Sequence, residues 1–152
     1  MNWRAIIDMC YRHAYRIAYP IATIWWRIIG HNGVSVIVWF DGRILAVHHS
    51  YRRGLELPTG GVEAGESYRS AAARELAEET GVVLDENDLT YIMTTPSRYG
   101  ERQVYEAHLK VEPLLKIDMR EIVHAGFHSP DEVTDKNLHL VSYLRLPRKG
   151  LA

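Results

Sequence analysis

Residues 60–82, GGVEAGESYRSAAARELAEETGV, decide how this chain is read. A Gly-rich approach ends at Ser67, a side chain suited to accept the first free N–H groups of a helix. The alanines that follow, Ala71, Ala72, Ala73 and Ala77, favour helix and allow close packing. Gly81 is the expected stop, because a helix end readily adopts the left-handed conformation glycine tolerates. The predicted helix runs from Ser67 to about Thr80. On it Glu75, Glu78 and Glu79 stand at i, i+3 and i+4, so their carboxylates share a face. Like charges so placed repel, and an enclosed face of this kind needs a positive partner. Hard carboxylate oxygens suit Mg²⁺, with Mn²⁺ as a substitute. The plainer alternative is a solvated acidic helix surface.

The stretch resembles the signature of the Nudix hydrolase family, G-x5-E-x7-R-E-U-x-E-E-x-G-U, where U is a bulky aliphatic residue. Gly60, Glu66, Arg74, Glu75, Leu76, Glu78, Glu79, Gly81 and Val82 fill its positions at every spacing. Leu57-Pro58-Thr59-Gly60-Gly61 also resembles the family's approach strand and loop. The resemblance implies an α/β/α sandwich around a mixed β-sheet, and metal-dependent hydrolysis of a nucleoside diphosphate linked to another group. It further implies metal ligation by the Gly60 carbonyl, Glu75, Glu78 and Glu79, with Arg74 orienting a neighbouring glutamate. Glu75 and Glu79 are the candidates for the base that takes a proton from water, and Glu101 or Glu121 outside the motif are alternatives. Glu66, just before the helix, reads as a support at the positive end of its dipole. Leu76 and Val82 read as core. A rival reading is a module of the same fold that senses a nucleotide without turnover, although the intact acidic set argues against it.

Working outward, Gly33 to Phe40 alternates in the manner of a strand, and Arg43 to Ser50 is a second apolar run. Only Asp41-Gly42 separates them, a strong hairpin signal. Leu57 to Glu66 reads as a loop. Leu89 to Thr95, Gln103 to Val111 and Glu121 to His128 read as further strands. Pro130 to Val133 reads as a short turn and Asn137 to Leu144 as a helix. Strands and helices mixed in this way suggest an α/β or α+β sandwich, and with the resemblance the domain reads as α/β over residues 31–152.

Residues 1–30 differ in character. Trp3, Ile7, Cys10, Ala14, Ile17, Ile21, Ile24 and Ile28 step by three and four, the mark of one apolar helical stripe, while Pro20 interrupts it. Four arginines and one aspartate lie off that stripe. The longest uncharged run, Ile17 to Trp26, is about half of the roughly 20 residues a bilayer core requires. This is an amphipathic extension. It is expected to pack on its own domain or on a partner subunit, as in a homodimer, with peripheral membrane contact as the alternative.

Composition sets the outer limits. With 152 residues, 47% hydrophobic and 24% charged, the chain suits one compact domain. A net charge of −1 gives no overall positive field, and no nucleic-acid partner is expected. A lone cysteine, Cys10, excludes an internal disulfide and any cysteine-based zinc site, and fits a reducing, cytoplasmic setting.

Signals for the substrate are weaker. Arg52, Tyr99 and Arg102 are candidates to hold phosphate or stack on a base, alongside Arg53, Arg98, Tyr51 and Trp39. Pro96 and Tyr99 lie near spacings associated in the family with ADP-ribose and dinucleoside polyphosphates, yet both also suit a hairpin loop. His48 and His49 should point to opposite faces of their strand. His108, His124, His128 and His139 lack a spacing that suggests zinc.

Overall fold

The computed structural model describes residues 3, 6–11, 13–14, 17–18, 32–97 and 100–146. Its frame is a six-stranded mixed sheet ordered β4-β5-β1-β2-β6, with the short β3 paired to β1. The strands are β1 (Gly33–Phe40), β2 (Arg43–His49), β3 (Thr59–Gly61), β4 (Thr90–Pro96), β5 (Glu101–His108) and β6 (Ile122–His128). Helix α1 (Tyr68–Thr80) covers one face and α2 (Leu138–Leu144) the other. This is the expected sandwich.

Local chemistry accounts for the elements. The β1–β2 turn places Asp41 and Gly42 at φ 49° and 69°, the positive values a tight hairpin turn requires. Ser67 caps α1 by accepting the Ser70 N–H, and Gly81 ends it at φ 76°. Asn137 caps α2 with its side-chain oxygen, which accepts from His139 and Leu140.

β1 is the pivot. One edge runs parallel to β5 from Gly33 opposite Arg102 to Trp39 opposite His108. Its other edge is divided: Trp39 and Phe40 pair with β2, whereas Gly33 to Ser35 pair with β3. Leu57 to Glu66 is therefore not all loop. Thr59 to Gly61 forms a strand, helped by the Ser35 and Thr59 hydroxyls at 2.7 Å and by Val36 N–H donating to the Pro58 carbonyl. This divided edge lays Gly60 and Gly61 beneath α1.

Alternation along β1 splits the core between the two faces. Val34, Val36 and Val38 pack with Leu45, Leu76 and Val82 under α1. Ile37 and Trp39 pack with Ile44, Ala46, Leu140 and Leu144 under α2. Leu76 and Val82 are core, as the motif predicts. Burying one such leucine stabilises the fold by about 1.5–3 kcal/mol.

The described part of the N-terminal extension is helical, but its contact differs from expectation. Trp3, Ile7, Cys10, Ala14 and Ile17, the residues of the apolar stripe, are exposed. The chain's body is met instead through Asp8, which accepts from Arg120 Nε at 3.1 Å, and through Tyr11, whose ring lies 4.4 Å from the Arg120 guanidinium carbon. Ile21, Ile24 and Ile28 fall outside the described residues, as do Arg98 and Tyr99. Among the described residues no helix is long and apolar enough to cross a membrane.

Candidate active site

Three elements meet at the glutamates: β3 with the loop after it, helix α1, and the end of β2. Arg74 is the hub. Its Nε and Nη2 each donate to one oxygen of Glu66 at 2.9 Å, a two-pronged pair. Nη2 also donates to the Gly61 carbonyl at 2.8 Å, and Nη1 to Glu75 at 2.9 Å and more loosely to Glu78 at 3.5 Å. One guanidinium thus ties β3 and the loop before the helix to the middle and last turn of the helix. Its bond holds the Glu66 carboxyl below the usual carboxylate range.

Glu75 lies against the backbone of β3. Gly61 N–H donates to its Oε1 at 3.1 Å. A Cβ on Gly60 would fall 1.8 Å from the Glu75 carboxyl carbon, so any other residue there displaces the acid. Glu79 sits deeper, its side chain 9% exposed. Thr59 N–H donates to its Oε2 at 3.0 Å, and His49 Nε2 lies 3.2 Å from Oε1. Glu78 stays at the rim, 61% exposed.

Burial pushes the Glu75 carboxyl above the usual carboxylate range against the opposing pull of Arg74. It does the same to Glu79 against the pull of His49. Each is a group whose charge is poorly offset within this chain. Hard oxygen donors in that condition, two enclosed and one at the rim, fit a divalent cation such as Mg²⁺. Among the described residues no three His, Cys, Asp or Glu side chains already converge on one point, since Arg74, His49 and backbone N–H groups engage the carboxylates separately.

His49 is the residue the motif did not supply. It is 2% exposed and ends β2 facing α1, while its Nδ1 is buried with no hydrogen-bond partner and lies 3.7 Å from Glu56. Strand alternation gave its direction, but nothing in the sequence linked it to Glu79 on another element. The Tyr51 ring lies tilted beside it at 5.4 Å, and its hydroxyl donates to Glu121 Oε1 at 2.8 Å. Glu121 is near enough to raise the Glu79 carboxyl further. Glu101, by contrast, accepts from the Tyr68 hydroxyl at 2.7 Å at the start of α1.

The arginine candidates separate. Arg52 joins the His49 side of the site, donating to Glu56 at 2.7 Å. Arg102 lies elsewhere, gripped by both Asp135 oxygens at 2.9 and 3.0 Å. The structure does not bring it to the glutamates. Two cavities of about 360 and 440 Å³ lie at the Trp39 and His108 end of the sheet, lined by residues such as Leu144 and Leu84, and share no residue with the glutamate cluster.

Known proteins resemble this chain in sequence and in fold. The family model for the NUDIX domain matches residues 30–146. A MutT-like protein of Streptomyces ambofaciens is 30% identical over 102 residues, 67% of this chain and 65% of that protein. An RNA pyrophosphohydrolase of Erythrobacter litoralis is 48% identical over 44 residues, 29% of this chain and 27% of that protein. The chain therefore spans less than two thirds of either relative. In fold it is similar to the MutT NUDIX hydrolase of Burkholderia pseudomallei, with TM-score 0.62, 21% identity and coverage of 75% of this chain and 94% of that one. It is also similar to the NUDIX domain of Shewanella oneidensis NrtR complexed with ADP ribose, with TM-score 0.61, 19% identity and coverage of 75% and 85%. Since the family match takes in every described strand and both helices of the sandwich, the chain belongs to the NUDIX hydrolase family.

Proposed function

We propose that the protein is a divalent-metal-dependent pyrophosphohydrolase that cleaves a diphosphate linkage in a nucleoside diphosphate derivative. The observation that carries this reading is the pair of enclosed, charge-starved carboxylates, Glu75 and Glu79, set against the Gly60-Gly61 strand by Arg74. The Gly60 carbonyl, Glu75, Glu78 and Glu79 would hold Mg²⁺, or Mn²⁺ in its place. When bound, the ion offsets charge on the phosphate oxygens and lowers the pKa of water.

The chain's own residues do the rest. Arg74 keeps Glu75 on the strand and Glu66 on the loop, so the carboxylates are oriented before substrate arrives. Glu79 accepts the proton from the attacking water, being the most enclosed carboxylate of the cluster and held in place by Thr59 N–H and His49. His49 holds its Oε1 in place. Glu75 is the other candidate for that proton. Arg52 and Tyr51 flank the same end of β2 and serve as the substrate-side contacts. Among fold relatives, one NUDIX domain is complexed with ADP ribose and another is an Ap4A hydrolase, which supports a nucleoside diphosphate derivative as the ligand class.

Residues 1–30 would serve a contact beyond the chain's own core, since Trp3 and Ile17 of their apolar stripe are 66% and 68% exposed. A second copy is favoured over a membrane surface, in a cytoplasmic setting. Light scattering of the full chain and of a variant lacking residues 1–30 checks it: a dimer that persists without them refutes the assignment.

The activity is tested by release of phosphate and mononucleotide from nucleoside triphosphates, ADP-ribose, NADH, nucleotide sugars and dinucleoside polyphosphates with Mg²⁺ or Mn²⁺. Turnover abolished by EDTA and reduced about 10³-fold in Glu79→Gln is the expected result. Metal-dependent binding with no turnover on any compound would replace the hydrolase reading with a sensing module.

A further inference from the structure

Edge strand β6 carries His124 and His128 on the sheet face opposite α1, in register with His48 and Ile44 of β2. Four steps of extended strand place their Cα atoms about 13 Å apart. The rings nevertheless lean together and meet, with Nε2 to Nε2 at 3.0 Å and ring centroids at 5.3 Å. Gly126 between them leaves the room: a Cβ there would stand 3.3 Å from His128 Nε2 and 3.4 Å from His124 Nε2. Behind His128, Glu132 Oε2 lies 3.4 Å from Nδ1, while Glu132 Oε1 accepts the Ser129 N–H at 3.0 Å.

A carboxylate at Nδ1 selects the tautomer that carries its proton there, leaving the Nε2 lone pair free. In the metal-free protein His124 Nε2–H can donate to that lone pair. When the His124 proton sits on Nδ1 instead, each Nε2 carries a free lone pair, and the two nitrogens lie close enough to share one ion. Metal–nitrogen bonds of about 2.0–2.1 Å across a 3.0 Å separation subtend about 91–97°. That angle is nearer the right angle of tetragonal Ni²⁺ and Cu²⁺ than the tetrahedral angle of structural zinc.

We infer that His124 and His128, with Glu132 behind them, form a surface site for a nitrogen-preferring transition-metal ion, Ni²⁺ or Cu²⁺, completed by water. The site is independent of the proposed hydrolase centre: its donors are imidazole nitrogens, and it lies on the other face of the sheet. Among the described residues no third His, Cys, Asp or Glu joins the pair, so water fills the remaining positions. Glu132 is a positioning residue for the ligand His128.

The test is a Cu²⁺ titration of the full chain, with Mg²⁺ in excess to occupy the carboxylates, followed by electron paramagnetic resonance and calorimetry. One equivalent should bind with hyperfine coupling from two nitrogens. His128→Gln and His124→Gln should each abolish the two-nitrogen signal, and Glu132→Gln should weaken affinity about 10-fold or more. Glu79→Gln should leave signal and affinity unchanged. The site is refuted if the two-nitrogen signal survives both histidine substitutions in folded protein, or if Cu²⁺ binds through oxygen alone. Loss of the signal in Glu79→Gln would refute it equally. Circular dichroism of each variant establishes that it is folded.

Discussion

Two arginines on opposite faces of one sheet each make a two-pronged pair with a carboxylate, Arg74 through Nε and Nη2 and Arg102 through Nη1 and Nη2, and they do different work. Arg74 grips Glu66 on the α1 face, and Arg102 grips Asp135 beside α2. The Arg102 fork joins β5 to the segment leading into α2. The Arg74 fork also reaches Gly61, Glu75 and Glu78, so it sets the position of carboxylates proposed to hold a metal ion. Bidentate pairing serves as a staple in one place and as an organiser in the other. What distinguishes them is the company each guanidinium keeps.

The sharpest way to break the α1 side is Gly60→Ala. Its Cβ would displace the Glu75 carboxylate, and kcat/KM should fall at least about 100-fold. The substitution should cost only about 1–3 kcal/mol of stability, measured by urea unfolding. An active Gly60→Ala variant would mean that Glu75 does not need its present place.

The arginines give the next contrast. Arg74→Lys keeps the charge but loses the fork, and kcat/KM should drop about 10–100-fold. Arg102→Lys should destabilise the fold by about 1–3 kcal/mol and leave kcat/KM within about twofold. Equal activity losses from both would erase the distinction between them.

Glu66→Gln gives the smallest effect and the most specific signature. Arg74 lowers the folded-state pKa of Glu66 below its unfolded value, so the folded chain binds fewer protons. Its contribution to stability is fully present above about pH 4.5 and is lost as pH falls through the lower folded value. The stability gap between wild type and Glu66→Gln should therefore be widest near neutral pH and close in acid. Urea midpoints along that pH series measure it. A gap independent of pH would show that Glu66 supports the loop by shape alone.

Much of this was legible in the sequence wherever the cause is local. Asp41-Gly42, the Ser67 cap and the Gly81 stop are backbone requirements met by residues at the position itself. The glutamates were legible because helical spacing converts sequence separation directly into direction. β3 was partly hidden, since Thr59-Gly60-Gly61 has little strand preference and is extended mainly because β1 offers an unpaired edge. His49 was hidden for a related reason: its link to Glu79 joins residues 30 positions apart on different elements. The His124–His128 pair had a signal that metal-ligand spacings overlook. Two histidines on one face of a strand with a glycine midway have both the direction and the space to meet. The fate of Arg102 depended on Asp135, 33 positions away, and no periodicity reports such a partner.

The division of β1 between partners also governs the order in which the chain assembles. Its β2 neighbour follows after a two-residue turn and pairs at once, whereas β5 arrives only much later in synthesis, as the 67-position gap between Trp39 and Glu106 illustrates. Until then a strand rich in valine and isoleucine presents an open edge, the feature that recruits other nascent chains. Productive folding should therefore depend on how fast the ribosome delivers residues 101–108, and synthesis slowed between β2 and β5 should lower the soluble yield without altering the finished fold.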